Sequence, residues 1–150
     1  MLVRELMTGA LVTARPDMPV LDARHLMIEK RIRHILVTDD RDQLLGIVTD
    51  HDIRLNLPSQ ATSLSVWEMK HLLTGLTLGE VMTASVITVG PDRAARDATQ
   101  LMLDHRIGAL PVVDAGRMIG IVTETDLLRA FVRSADAADL SSSWTTRRIL

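Results

Sequence analysis

The chain contains an internal repeat, and this repeat constrains its fold more than any other feature of the sequence. A shift of 75 residues aligns residues 5–39 with residues 80–114, with fourteen identities. The second copy is one residue shorter in the turn that follows, so a shift of 74 aligns residues 46–52 with residues 120–126, with five more identities. Two copies of one supersecondary unit are therefore expected. A single copy is too small to bury its apolar surface well alone, so the copies should pair.

Each copy is predicted to have the order β-α-β-β-α, which places the chain in the α/β (α+β) class. A Pro-Asp pair after the first strand should start the first helix with its Asp as the cap. Apolar residues at helical spacing follow, and then two strand-like segments joined by a polar turn. In sequence order the predicted strands are 11–13, 34–38 and 44–49, then 86–88, 109–113 and 118–123; the Pro-Asp pairs are Pro16-Asp17 and Pro91-Asp92, and the last helices start near Asp50 and Glu124.

A threonine and an aspartate three residues apart stand at the same strand–helix junction in both copies. They are Thr49 with Asp52, and Thr123 with Asp126. A hydroxyl, a carboxylate and the free N–H groups of a helix N-terminus meet at such a corner, which can hold a sugar and an anion. Both residue types are also good helix caps, so the pairs could equally serve only to satisfy backbone amides.

Composition excludes several classes of function. The chain is 47% hydrophobic and 24% charged, as expected of a folded globular protein. A net charge of −2, with two Trp, one Phe and no Tyr, gives neither the charge nor the stacking surface for nucleic acid. Apolar runs are too short for membrane insertion, and no signal peptide opens the chain, so we expect a cytoplasmic protein.

No catalytic or metal site is indicated. The chain has no Cys, its histidines lack ligand spacing, and no Gly-rich phosphate loop or nucleophile with a positioned base is visible. We therefore expect no enzyme activity, no metal and no required cofactor.

The predicted domains are a first repeat at 1–57, a linker with a short helix at 58–77, a second repeat at 78–135 and a tail at 136–150. The linker helix should begin with a capping box formed by Ser65 and Glu68, and Gly75 could end it. Trp67 in this helix is expected to pack in a domain or subunit contact. The small polar tail should be loosely held or used in assembly.

These marks together resemble a tandem pair of CBS (cystathionine-β-synthase) domains, or Bateman module, of the bacterial stand-alone type. They are Val81-Met82-Thr83, the run Leu110–Asp114, and the two Gly-hydrophobic-Val-Thr-x-x-Asp stretches that begin at Gly46 and Gly120. The resemblance implies two repeats packed sheet to sheet about a pseudo-two-fold axis. It also implies two clefts between them, which in many members bind adenine nucleotides or related adenosyl ligands.

The resemblance carries candidate binding residues onto both copies. The Asp of each corner would accept hydrogen bonds from ribose, and the Thr would face phosphate. Arg33 and His34 match a basic position that faces phosphate, where the second copy has Gly108 and Ala109. The other candidates are Val12, Thr13, Ile87 and Thr88 on the base-contacting segments, His51 inside the first corner, and Pro111, where the first copy has Leu36.

Two readings of function remain open from sequence. The first is a regulatory module that senses AMP, ADP, ATP or a related adenosyl ligand and controls an enzyme or transporter partner. The second is a structural module that dimerises and binds a partner with empty clefts. In either case we expect a homodimer built on helices, because the consecutive apolar residues ending at Ile28 and Leu103 cover more than one helix face.

Overall fold

The computed structural model describes residues 1–58 and 65–136 of the 150-residue chain. Most of the predicted linker segment before Ser65, and all of the predicted tail after Asp136, lie outside the described residues. Within the described ranges, no helix is both long and apolar enough to cross a lipid bilayer.

The predicted order β-α-β-β-α is present in the first repeat, and each repeat gains a short helix at its start. The elements are α1 (Val3–Leu6), β1 (Thr13–Ala14), α2 (Val20–Lys30), β2 (His34–Thr38), β3 (Leu44–Thr49) and α3 (Asp50–Asn56), then α4 (Val66–Gly75), α5 (Leu78–Val81), α6 (Ala95–His105), β4 (Ala109–Asp114), β5 (Arg117–Thr123) and α7 (Glu124–Asp136). The two hairpins, β2–β3 and β4–β5, follow the alternation of the sequence.

The first strand-like pairing of each repeat lies later in the chain than predicted, and in the second repeat it is only a bridge. In the first repeat, β1 runs parallel to β2. In the second repeat residues 86–88 form no strand, and only Val89 pairs, as a parallel bridge to Val112. The Val89 N–H donates to the Pro111 carbonyl at 3.0 Å, and the Val89 carbonyl accepts from the Val113 N–H at 3.0 Å. Pairing stops there because Gly90 and Pro91 follow, and proline cannot donate to a ladder.

Asp17 and Asp92 do not cap the helices that follow them, so this prediction was wrong. The N-cap residues of α2 and α6 are Pro19 and Ala94, and neither cap has a side-chain hydrogen bond. Instead, the first N–H groups of these helices donate to backbone carbonyls at the start of the other repeat or just before it. Val20 N–H donates to the Leu76 carbonyl at 2.9 Å, and Ala95 N–H donates to the Met1 carbonyl at 3.0 Å.

The two repeats exchange their leading segments. Val3 of α1 is fully buried in the core of the second repeat, beside Val112 and Val122. Leu78 of α5 is fully buried in the core of the first repeat, beside Val37. Each core is therefore completed by a helix that belongs, in sequence, to the other repeat.

Two backbone bridges follow the exchanged helices and show a pseudo-two-fold relation. Thr8 bridges Ile121 of β5, and Thr83 bridges Ile47 of β3. The two bridges correspond residue by residue under the same shifts that align the repeats. The sequence therefore folds into one body of two interlocked halves.

Candidate functional site

The Thr-x-x-Asp pair of the first repeat forms a capping box on α3. Thr49 is the N-cap residue, and its Oγ1 accepts from the Asp52 N–H at 3.1 Å. In return, Asp52 Oδ2 accepts from the Thr49 N–H at 2.9 Å. The pair therefore caps α3, which is one of the two roles that the sequence allows for it.

The second corner repeats this geometry on α7. Asp126 Oδ2 accepts from both the N–H and the Oγ1 of Thr123, each at 2.9 Å, and Asp126 N–H donates to Thr123 Oγ1 at 3.3 Å. In the described chain, the Oδ1 atoms of Asp52 and Asp126 take part in no hydrogen bond. One carboxylate oxygen thus holds the cap, while the other can accept from a ligand hydroxyl.

A smaller cleft, of about 360 Å³, lies between the repeats and holds the second corner. The first repeat contributes Leu11, Val12 and the stretch Arg31–His34. The second repeat contributes Thr123–Asp126, with Arg129 one turn further along α7. Arg33 and His34 of one repeat therefore share a cleft with the corner of the other, a pairing that sequence alone did not give.

A larger cleft, of about 1000 Å³, holds the first corner with His51. Its opposite side comes from the second repeat: residues 85–87, the stretch Arg106–Ala109, and apolar side chains of α6 and α7. Arg33, His34 and Glu124 line both clefts and so form a partition between them. The backbone fixes the partition, because Asp50 N–H donates to the Arg33 carbonyl and Glu124 N–H to the Gly108 carbonyl, both at 2.9 Å.

The two clefts carry opposite balances of charge. Three arginines, Arg31, Arg33 and Arg129, line the smaller cleft against the carboxylates of Glu124 and Asp126. None of these three arginines forms an ion pair with another described residue. In the larger cleft three lining carboxylates, Asp50, Asp52 and Glu124, stand against Arg33 and Arg106. Of these carboxylates, Asp50 is paired with Arg54, which does not line the cleft, at 3.4 Å.

His34 is half-buried at the start of β2, and its burial lowers the pKa of its imidazole below 6.5. Asp50 and Glu124 oppose this effect, and Arg33 reinforces it. His34 is therefore mostly neutral at pH 7. The positive charge of the smaller cleft at that pH comes from its arginines.

The predicted site residues divide between the clefts. Val12 lines the smaller cleft and Ile87 the larger one, so the two base-contacting segments each reach one cleft. Thr13 and Thr88 line neither; Thr88 borders a separate hollow of about 320 Å³. Pro111 is fully buried in β4 and lies outside both clefts.

Sequence reasoning missed Arg31, Arg106 and Arg129. Arg31 and Arg106 are identical between the repeats, and both end a helix in the left-handed conformation, with φ of 53°. Arg129 corresponds to Leu55 of the first repeat, so a comparison of the repeats for departures from symmetry could have found it.

The linker helix α4 carries a further residue with a predicted role. Trp67 is 73% exposed and stacks on His71 with 5.5 Å between ring centroids. Its expected role in a domain or subunit contact stays a prediction. Among residues 1–58 and 65–136, no three His, Asp or Glu side chains are grouped to hold a metal ion.

Fold and site define a tandem-repeat protein with two clefts between interlocked halves, each cleft carrying a hydroxyl–carboxylate corner. Residues 3–59 and 78–133 match the family model of the CBS domain, and the chain belongs to this family as a tandem pair.

Curated relatives include short proteins and much longer ones. The chain is 32% identical over 126 residues to the CBS domain-containing protein YhcV of Bacillus subtilis, covering 83% of this chain and 81% of that protein. It is 35% identical over 135 residues to CBSX2 of Arabidopsis thaliana, with coverage of 77% and 56%. It spans only 23% of the L-aspartate semialdehyde sulfurtransferase of Methanocaldococcus jannaschii, at 29% identity over 87% of this chain.

Solved structures share the fold. A protein with CBS domains from Burkholderia ambifaria superposes with a TM-score of 0.78 at 30% identity, covering 95% of this chain and 100% of the other. The CBS domain pair of protein MJ0100, solved in complex with 5′-methylthioadenosine and S-adenosyl-L-methionine, gives a TM-score of 0.71 at 28% identity, with coverage of 87% and 99%.

Proposed function

We propose that the protein is a cytoplasmic regulatory module that binds an adenine nucleotide or a related adenosyl ligand between its repeats. The observation that carries this proposal is the smaller cleft, where the unbonded Oδ1 of Asp126 shares a cavity with three unpaired arginines of the described chain. A ribose hydroxyl and a phosphate are the groups that this pair of features suits. The adenosyl ligands of the MJ0100 domain pair support the choice of nucleoside.

The proposed pose follows from the lining of each cleft. Leu11 and Val12 offer an apolar surface for the base in the smaller cleft, and Val86 and Ile87 offer one in the larger cleft. The ribose would donate hydrogen bonds to the free carboxylate oxygen of the corner. Both volumes fall in the range of roughly 300–1,000 Å³ that is usual for small-molecule sites.

Regulation would arise because each cleft has walls from both repeats. A ligand that contacts both halves binds one relative arrangement better than another, and so shifts the population toward it. An enzyme or transporter partner that also distinguishes those arrangements is then coupled to the ligand.

Alanine at each corner carboxylate provides the test. Asp52→Ala and Asp126→Ala should each lower the affinity for the adenine nucleotide or adenosyl ligand that binds in the cleft of that carboxylate, by about 1.5–3 kcal/mol, the cost of a hydrogen bond to a charged group. Glu68→Ala is the matched control, because Glu68 forms the same capping box with Ser65 on α4, outside both clefts. Calorimetry with AMP, ADP and ATP that gave wild-type affinity in both corner variants would overturn the assignment.

An interaction module is the second candidate, and one observation favours it. Leu103 of α6 is 67% exposed, and Leu128 and Phe131 of α7 are 63% and 69% exposed. These two helices pack against each other, so the three side chains form one apolar surface at the rim of the larger cleft. We propose that a second copy of the chain covers it, giving a homodimer.

Light scattering tests the dimer. The wild-type protein should have twice the monomer mass of 16.6 kDa. Leu128→Glu with Phe131→Glu should halve the observed mass. A wild-type protein that stays monomeric at high micromolar concentration refutes the dimer. A ligand at 100 times its Kd should add about 2.7 kcal/mol to the free energy of unfolding. If the protein dimerises and no adenine nucleotide raises its melting temperature, the interaction module is the better interpretation.

A further inference from the structure

Building on the proposed function, we propose that the two clefts sort adenosine ligands by charge. The smaller cleft takes a phosphorylated ligand, and the larger cleft takes a neutral adenosyl ligand and rejects phosphate. The basis is the reversal of charge balance between two clefts that repeat symmetry would otherwise make equivalent.

The cations of the smaller cleft come from both repeats. Arg31 ends α2, Arg33 precedes β2, and Arg129 lies in α7 of the other repeat. Guanidinium groups that converge from separate elements can bind different oxygens of one phosphate chain. Since none of the three is paired with a described carboxylate, an anionic ligand displaces no existing ion pair.

In the larger cleft a carboxylate occupies the position that matches the Arg33 side chain. Gly108 corresponds to Arg33, and a Cβ at Gly108 would lie 3.3 Å from both Cδ and Oε1 of Glu124. Asp52 adds negative charge to the same cleft, and Asp50, which also lines it, is paired with Arg54 at 3.4 Å. A phosphate entering there would face like charges, which disfavours its binding.

The rest of the larger cleft is apolar. Met102, Leu127 and Phe131 line its second-repeat side. A neutral ligand whose 5′ substituent is a thioether, such as 5′-methylthioadenosine, can bury that substituent against these side chains. The cleft is also nearly three times as large as the smaller one, at about 1000 Å³ against 360 Å³.

Calorimetry on the full chain, with ATP and 5′-methylthioadenosine as probes, tests the sorting. ATP should bind one site per chain, and 5′-methylthioadenosine should still bind after that site is saturated. Raising the salt concentration should lower the affinity for ATP and leave the affinity for 5′-methylthioadenosine unchanged, because screening acts on the charged ligand only.

Arg129→Leu gives the second repeat the leucine that the first repeat has at the equivalent position, Leu55. This variant should lower the affinity for ATP about tenfold or more and change the affinity for 5′-methylthioadenosine less than twofold. Arg96→Leu, an equal change of charge at an exposed site on α6 outside both clefts, should leave both affinities unchanged. Thermal melting of each variant checks that it is folded.

Three results would overturn the inference. If ATP and 5′-methylthioadenosine compete for one site, or if Arg129→Leu leaves ATP binding intact, the clefts do not sort by charge, although the module still binds adenosine ligands. If neither probe binds, the proposed function fails together with this inference.

Discussion

Two glycines show how a single residue can hold the halves together. A Cβ at Gly46 would lie 2.6 Å from the Met82 sulfur and 2.9 Å from the Thr83 carbonyl oxygen. At Gly120 the corresponding distances, to Met7 and Thr8, are 2.7 and 3.1 Å. These glycines allow the exchanged segments to cross the strands closely.

We expect Gly46→Ala to lower the free energy of unfolding by about 1–3 kcal/mol, because the added methyl overpacks against the Thr83 backbone. Gly120→Ala should cost less, since its backbone contact is longer. Gly90→Ala is the control, because nothing lies within 4 Å of a Cβ there. Urea unfolding measures all three; equal values for Gly46→Ala and Gly90→Ala would contradict the close approach.

His34 predicts a dependence of stability on acid. Burial lowers its pKa in the folded state below 6.5, so the unfolded chain binds more protons as the pH falls from about 6.5 toward 5. The free energy of unfolding should therefore decrease over this window and be insensitive to His34 above it. His34→Gln should flatten the decrease, whereas His25→Gln, at an exposed site on α2, should not.

The affinity of the smaller cleft for ATP should also depend on pH. Because an anion in the smaller cleft favours the imidazolium of His34, affinity for ATP should increase as the pH falls below 6.5. His34→Gln should remove that increase. The same increase in the variant would show that His34 does not face the phosphate.

At the scale of elements, a helix cap could be predicted from the sequence only where its hydrogen-bond partner is close in the chain. The capping boxes of α3 and α4 were predictable because their partners are three residues apart in sequence. The start of α2 was not, because its first N–H is satisfied by Leu76, more than fifty residues away. A favourable cap residue such as Asp17 is therefore unused.

Alanine scanning of the caps tests this distinction. Thr49→Ala should cost about 1 kcal/mol, because the Asp52 N–H loses its acceptor. Asp17→Ala, at an exposed residue with no capping role, should change stability by less than about 0.5 kcal/mol. Comparable losses in thermal unfolding would mean that Asp17 does cap its helix.

For the whole molecule, the exchange of α1 and α5 predicts crossed effects. Leu78→Ala lies in the second repeat by sequence, yet it should destabilise the first core, by about 2–5 kcal/mol. Val3→Ala should act in the same way on the second core. Hydrogen exchange should show lost protection in β2–β3 for the first variant and in β4–β5 for the second. Losses confined to each variant's own repeat would contradict the exchange.

Element order, both hairpins and both corners could be predicted, because repetition and periodicity are local properties of a sequence. The pairing of Arg33 with the corner of the other repeat could not, because it depends on how the halves interlock. Arg129 was missed for the same reason: nothing near it in the sequence indicates which cleft it faces.

The interlocking also sets an order of events during synthesis. The first core lacks Leu78 until α5 has left the ribosome, although the other fully buried residues of that core are complete at Ile53. Val3 waits longer still, for strands that end at Thr123. The chain emerges at about 5–20 residues per second, so its first helix has no native partner for several seconds. Protease resistance should therefore appear in two late steps, in the first core once α5 is available and in the second core once β5 is complete.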